Sequence, residues 1–268
     1  MRKILSFFLA AMFFFSVSAA FAAPGLTAKS AVILDARTGR ILYGKNPHLK
    51  LPPASTTKLM TVLVVLERLP LDKPVTVSAS AANTSPSKAG LARGVSYRAG
   101  DLVAACLISS SNDAAIALAE AVAGSEKEFV NLMNQKAKAL GMNDTYFVNA
   151  TGLTDKHARQ VTTAYDLSRL MCQAIRDARV DRILGIPTAV ITGSDRKPIL
   201  IRNHNKMLWR MPRFVKGKTG WTFASRHTFV GTDYSADKRI TFAMLSSQKP
   251  WMDIKWLAIL GLALQSRR

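Results

Sequence analysis

The hydrophobic period of this 268-residue chain changes twice, from two to about 3.6 and back. Residues 31–34 and 40–43 are short apolar runs separated by Ala36-Arg37-Thr38-Gly39, the pattern of a β-hairpin. A helical run over 55–69 follows Pro52-Pro53 and stops at Pro70. From about 99 to 182 the spacing is helical throughout. Runs over 101–109 and 113–122 flank Ser110-Ser111-Asn112, with Gly124 as a stop; 126–140 ends at Gly141; 163–178 is a fourth helix. Strand patterns return at 188–192, 228–232 and 240–245, and 251–264 closes the chain as a helix. This order predicts an α+β fold: one antiparallel sheet with flanking helices, plus an inserted all-α lobe. The expected organisation is a single domain over 23–268. Its sheet lobe covers about 28–70 and 186–268, its helical lobe about 80–185, and a cleft between two lobes is a common place for a site.

Residues 1–22 stand apart from that fold. Arg2 and Lys3 precede an apolar run over 4–17, and Ala20-Phe21-Ala22 is a small-residue cleavage box, which together read as a secretory signal peptide. An uncleaved anchor is the alternative; the short apolar core and the box argue against it. Export to a periplasm or another extracytoplasmic space is therefore expected. Apolar residues are 49% of the chain, too many for disorder, and only this one stretch is apolar enough to span a bilayer. Two cysteines cannot build a disulfide framework. Cys106 and Cys172 read as buried core residues, with a bond between them as the lesser alternative. Lys plus Arg is 37 against 17 Asp plus Glu, a net charge of +20. These cations are scattered, with neither a basic run nor an aromatic ladder, so no nucleic acid is expected as a partner. Anionic envelope polymers, or at most peripheral contact with lipid head groups, suit the charge, as does a merely solubilising surface.

The chain lacks a G-x-S-x-G elbow, an H-E-x-x-H pair and a P-loop. What remains is Ser55-Thr56-Thr57-Lys58, an S-x-x-K. Four other S-x-x-K matches begin at Ser85, Ser194, Ser235 and Ser246, all in turns, loops or a strand end. Ser55 alone opens a long apolar helix, where i, i+3 spacing sets an amine beside a hydroxyl and free N–H groups favour an oxyanion. A capping serine with a snorkelling lysine is the plainer reading of those four residues. Two further tripeptides shift the balance. Ser110-Ser111-Asn112 is the chain's S-x-N, at a helix–helix junction. Lys218-Thr219-Gly220 is its K-[ST]-G, before a strand pattern. There a lysine supplies charge, a threonine a hydrogen bond, and a glycine close backbone approach, which together make a seat for a carboxylate.

With these three motifs in this order, the chain resembles the active-site-serine penicillin-recognising enzymes, and within them the D-alanyl-D-alanine carboxypeptidases, low-molecular-mass penicillin-binding proteins. The likeness extends to Asp35-Ala36-Arg37-Thr38-Gly39, Leu140-Gly141-Met142, Phe147-Val148-Asn149, Gly152-Leu153 and Thr162-Thr163-Ala164-Tyr165-Asp166-Leu167. It implies a β-lactamase/transpeptidase-like fold and a division of roles. Ser55 would attack the carbonyl of the penultimate D-alanine, Lys58 would be the base, and Ser110 would relay the proton to the leaving amine. Asn112 would order the pocket, and Lys218 and Thr219 would hold the terminal carboxylate beside Gly220. Backbone N–H groups of Ser55 and Trp221 would form the oxyanion hole. The implied partners are peptidoglycan peptides ending in D-Ala-D-Ala, with β-lactams as covalent inhibitors; no metal and no organic cofactor is implied. Endopeptidase action on cross-links, or a non-catalytic binding module, are the alternatives. A class A β-lactamase would need Glu-x-x-Leu-Asn, which no glutamate here begins. The chain departs from the family's pattern in having no Arg over 246–255, where Lys249 is the nearest substitute. Lys216-Gly217-Lys218 adds a cation that could compensate, and burial at the lobe interface together with repulsion from Lys218 is expected to depress the pKa of Lys58.

Overall fold

A computed structural model describes residues 25–210, 215–235 and 238–266. The signal-peptide reading of residues 1–22 lies outside the described residues. β1 (Ser30–Asp35) and β2 (Ile41–Lys45) form the opening hairpin. A 3-10 turn (Ala54–Thr57) leads into α1 (Lys58–Arg68). The short strands β3 (Pro74–Thr76) and β4 (Ser96–Arg98) pair with each other and bracket α2 (Ala79–Ala82). Then come α3 (Ala99–Ile108), α4 (Asn112–Ala123), α5 (Glu126–Ala139), α6 (Ala164–Ala174) and α7 (Ala178–Leu184). β5 (Thr188–Thr192) and β6 (Pro198–Arg202) make a separate hairpin, and α8 (Met207–Arg210) follows. β7 (Lys216–Thr222), β8 (Arg226–Ser235), β9 (Lys238–Ser247) and α9 (Pro250–Ser266) complete the chain.

The main sheet runs β2-β1-β9-β8-β7 with antiparallel neighbours. Strand alternation divides its side chains between two cores. Val32, Leu34, Val230, Ala243 and Leu245 face the helices and join the larger cluster, with Leu59, Leu102, Leu118 and Phe147. Ala31, Ile33, Phe229, Phe242 and Met244 face the other way, against Ile254, Leu257, Ala258 and Leu262 of α9. β1 is thus buried on both faces, which its near-continuous apolar run already implies. The closing helix packs on the sheet, as its apolar residues suggest, and no helix among the described residues is long and apolar enough to cross a membrane.

Several elements differ from expectation; Lys218-Thr219-Gly220, expected ahead of a strand, lies within one, β7. Ser55 lies within the 3-10 turn, and the α-helix begins at Lys58. The helix expected over 163–178 ends at Ala174, because the Asp177 side chain accepts the backbone N–H of Arg179 and caps a new helix, α7. α6, placed by sequence with the helical insertion, packs on β9 and β1, where Ser168 Oγ is 2.9 Å from Thr241 Oγ1. α1 in turn packs among α3, α4, α5 and α6, at the centre of the larger core. Both cysteines are free; Cys106 is buried, whereas Cys172 is only half-buried, with Sγ 3.0 Å from Thr241 Oγ1.

Candidate active site

The 3-10 turn holding Ser55 is wedged between two glycines. At Gly220 in β7, an added Cβ would lie 2.4 Å from Thr228 Oγ1, 2.8 Å from Ser55 N and 3.0 Å from Ala54 Cβ. At Gly152 it would lie 1.9 Å from Ala54 O, and φ there is +84°. Only glycine permits both approaches. The turn is tied further through Pro53 O, which accepts from Thr56 Oγ1 at 2.7 Å and from Thr228 Oγ1 at 2.9 Å. Ser55 is therefore held from three sides before any ligand arrives.

Lys58 is fully buried one turn further on. Its Nζ lies 3.1 Å from Ser55 Oγ and donates to Asn112 Oδ1 and to Thr151 O, both at 2.6 Å. Asn112 is itself fixed, its Nδ2 donating to Ser85 O at 2.9 Å and its N–H to Ser87 O at 2.7 Å. Burial pulls the Lys58 ammonium down to about 8, against partial opposition from the carboxylates of Asp113 and Glu126. A neutral amine keeps two N–H donors and one lone pair. The two short bonds to Asn112 and Thr151 use the donors, which leaves the lone pair for the Ser55 hydroxyl.

Ser110 sits between α3 and α4 with φ +59°, a left-handed backbone that aims its hydroxyl into the cleft. Lys218 Nζ, buried in β7, donates to Ser110 Oγ and to Thr219 O, each at 2.8 Å. Burial and then repulsion from Lys58 hold the Lys218 ammonium well below its ordinary value. Burial is the chief cause for both amines, and their mutual repulsion disfavours protonating the two together. Asp113, next to Asn112, accepts from the N–H groups of Ala89, Gly90 and Leu91 and so pins the loop that frames the cleft.

The cleft has a volume of about 860 Å³, and Ser55, Ser110, Asn112, Thr219, Gly220 and Trp221 all line it. All eight residues singled out from sequence are therefore brought together: six on the wall, with Lys58 and Lys218 directly behind Ser55 and Ser110. Two expectations about cations fail. Lys216 turns away, with Nζ 2.9 Å from Asp181 Oδ2. Lys249 is exposed and does not line the cleft. Sequence reasoning missed the Thr151 carbonyl, since a backbone acceptor leaves no residue signature. It also missed His204, which opens on the cleft and is pulled down to about 4 by burial and by the two lysines.

Comparison with known proteins points to one family. The family described as D-alanyl-D-alanine carboxypeptidase matches residues 17–249. D-alanyl-D-alanine carboxypeptidase DacF of Bacillus subtilis is 32% identical over 228 residues, 83% of this chain and 58% of that protein, so the chain spans less than two thirds of that relative. D-alanyl-D-alanine endopeptidase of Escherichia coli is 33% identical over 231 residues, 84% of this chain and 73% of that protein. The crystal structure of D-alanyl-D-alanine carboxypeptidase from Mycobacterium tuberculosis superposes with a TM-score of 0.85 at 30% identity, covering 92% of this chain and 95% of that one. By its matching family, its fold and the residues assembled in its cleft, the chain belongs to the D-alanyl-D-alanine carboxypeptidase family.

Proposed function

We propose that the chain is a serine-type D-alanyl-D-alanine carboxypeptidase that removes the terminal D-alanine of peptidoglycan stem peptides. The observation that carries this is the Lys58 amine, buried, with two hydrogen bonds to fixed acceptors and its third direction 3.1 Å from Ser55 Oγ. Ser55 Oγ attacks the carbonyl carbon of the penultimate D-alanine while its proton passes to Lys58. The carbonyl oxygen becomes an oxyanion beside the backbone N–H groups of Ser55 and Trp221. The peptide C–N bond then breaks, the leaving nitrogen takes a proton through Ser110, and Ser55 keeps the acyl group until water releases it. Lys218 and Thr219 hold the terminal carboxylate; its charge favours the protonated Lys218, offsetting the burial that disfavours it. A β-lactam enters the same path and remains bound to Ser55. We further take residues 1–22 as an export signal and 23–268 as one catalytic domain working in the periplasm or another extracytoplasmic space.

A second reading, endopeptidase action on D-alanine cross-links, is favoured by two observations. A relative from Escherichia coli, 33% identical, is named an endopeptidase, and so is one from Pseudomonas aeruginosa, 42% identical over 54% of this chain. One experiment tests both. The purified protein is incubated with a pentapeptide ending in D-Ala-D-Ala and, separately, with a cross-linked peptide dimer. Release of free D-alanine supports the carboxypeptidase and cleavage of the dimer the endopeptidase. Turnover of neither, with no labelling by penicillin, contradicts both.

A further inference from the structure

β7 is an edge strand: β8 pairs with one side of it, and its residues from Thr219 to Thr222 border the cleft. An edge strand has half the ladder of a central one, so contacts outside the ladder help to set its position. Two of these come from lysines two residues apart, which an extended strand presents on one face. Lys218 reaches Ser110 at the α3–α4 junction, and Lys216 reaches Asp181 in α7.

α7 is shaped around the second contact. Val180, Ile183 and Leu184 bury its apolar side in the larger core, which fixes the helix. Gly185, directly after it, leaves room for the lysine stem: a Cβ there would lie 3.2 Å from Lys216 Cε and 3.4 Å from Cδ. Asp181 is shared, because its Oδ1 accepts from Arg239 Nη2 of β9 at 2.6 Å. Both cations also lie over the Tyr234 ring, at 5.2 Å and 5.8 Å from its centroid. The Lys216 and Asp181 side chains are only 13% and 23% exposed, so the pair is shielded better than an ordinary surface bridge.

We propose that Asp181 is a positioning residue for Lys218. Through Lys216 it fixes the edge strand two residues upstream and so holds the Lys218 amine on the Ser110 hydroxyl. The inference rests on the reading that Ser110 and Lys218 serve acyl transfer at Ser55. Without the anchor β7 keeps its ladder to β8 but gains freedom at its start. A misplacement of about 1 Å at a reacting group lowers rate on the order of 100-fold, and a partial loosening corresponds to a loss of roughly tenfold.

The test measures the maximal rate of acylation by a penicillin, and its half-saturating concentration, well below the melting temperature, where lost stability alone leaves the rate unchanged. The variants are Asp181→Asn, Lys216→Met, their double, and Asp181→Glu. Asp144→Asn, which breaks the exposed Lys50–Asp144 pair, is the control. The wild-type protein must acylate at Ser55 in the same assay; if it does not, the functional reading fails and not this inference. The expected result is a rate about tenfold lower in each of Asp181→Asn and Lys216→Met. The double variant is no slower than the slower single, because the two residues form one contact. Asp181→Glu stays within about twofold of wild type, and Asp144→Asn is unchanged. Wild-type rates in Lys216→Met, which keeps its stem against Gly185 and folds even if Asp181→Asn does not, would overturn the proposal. So would a double variant whose loss is the product of the two single losses.

Discussion

Gly220→Ala is the sharpest perturbation of the cleft, because the added methyl has no empty space to enter. Gly220 is an extended ladder residue paired with Thr228, so alanine meets no backbone strain and the effect is steric alone. The new Cβ would start 2.4 Å from Thr228 Oγ1 and 2.8 Å from Ser55 N, where ordinary contact begins near 3.4 Å. Thr228 Oγ1 must therefore give way by about 1 Å, and β7 and the nucleophile turn must separate by about 0.6 Å. Overpacking of this kind destabilises by about 1–3 kcal/mol, and losing the Thr228 bond to Pro53 O adds about 1 kcal/mol. The total of about 2–4 kcal/mol corresponds to a fall in Tm of roughly 4–16 °C for a chain of this size. The acylation rate falls as well, on the order of tenfold to 100-fold, because the displaced atoms belong to the reacting turn. The assay pairs thermal melting with stopped-flow acylation by a fluorescent penicillin. In Gly220→Ala/Thr228→Ala the 2.4 Å conflict is gone while the conflict with Ser55 N remains, so Tm recovers in part and the rate does not. Near-native acylation by Gly220→Ala would refute the argument that β7 and Ser55 are in contact through this glycine.

Other outcomes follow from the same geometry. Burial pulls Lys58 down to about 8 and it acts only when neutral, so acylation should rise about tenfold per pH unit below that value and level off above it. Lys58→Arg, which stays charged, should abolish acylation across the range; a flat profile from pH 6 to 9 in the wild type would contradict the role. Gly152→Ala brings a Cβ 1.9 Å from Ala54 O at a φ of +84°, and should slow acylation at least as much as Gly220→Ala, read in the same stopped-flow assay. Phe242→Ala empties a fully buried site where the ring meets Phe229 at 5.7 Å, and should lower unfolding free energy by about 3–5 kcal/mol in urea, with the acylation rate of the folded protein retained.

The fold was legible where hydrophobic period is strong. The short apolar runs at 31–34 and 240–245 read as strands and are realised as β1 and β9, which lie side by side in the main sheet. The break between α6 and α7 was missed because the apolar spacing runs on through it; Asp177 was the one signal, a capping side chain inside an apparent helix. In the site, side chains with a motif were found and backbone groups were not: Thr151 O matters through its carbonyl, which every residue possesses. Lys216 was misplaced because a strand position fixes the face a side chain takes and not its partner. Asp181 lies 35 residues away in sequence, and nothing local links the two.

The central claim is that Ser55, and no other serine, carries the acyl group. The protein is incubated with a β-lactam, digested, and the adduct is located by mass spectrometry, with Ser55→Ala run alongside. The account predicts a single adduct on the peptide containing Ser55 and none in Ser55→Ala, while that variant keeps its Tm to within a few degrees. An adduct on Ser85, Ser110 or any other residue, or undiminished labelling of a folded Ser55→Ala, would contradict it.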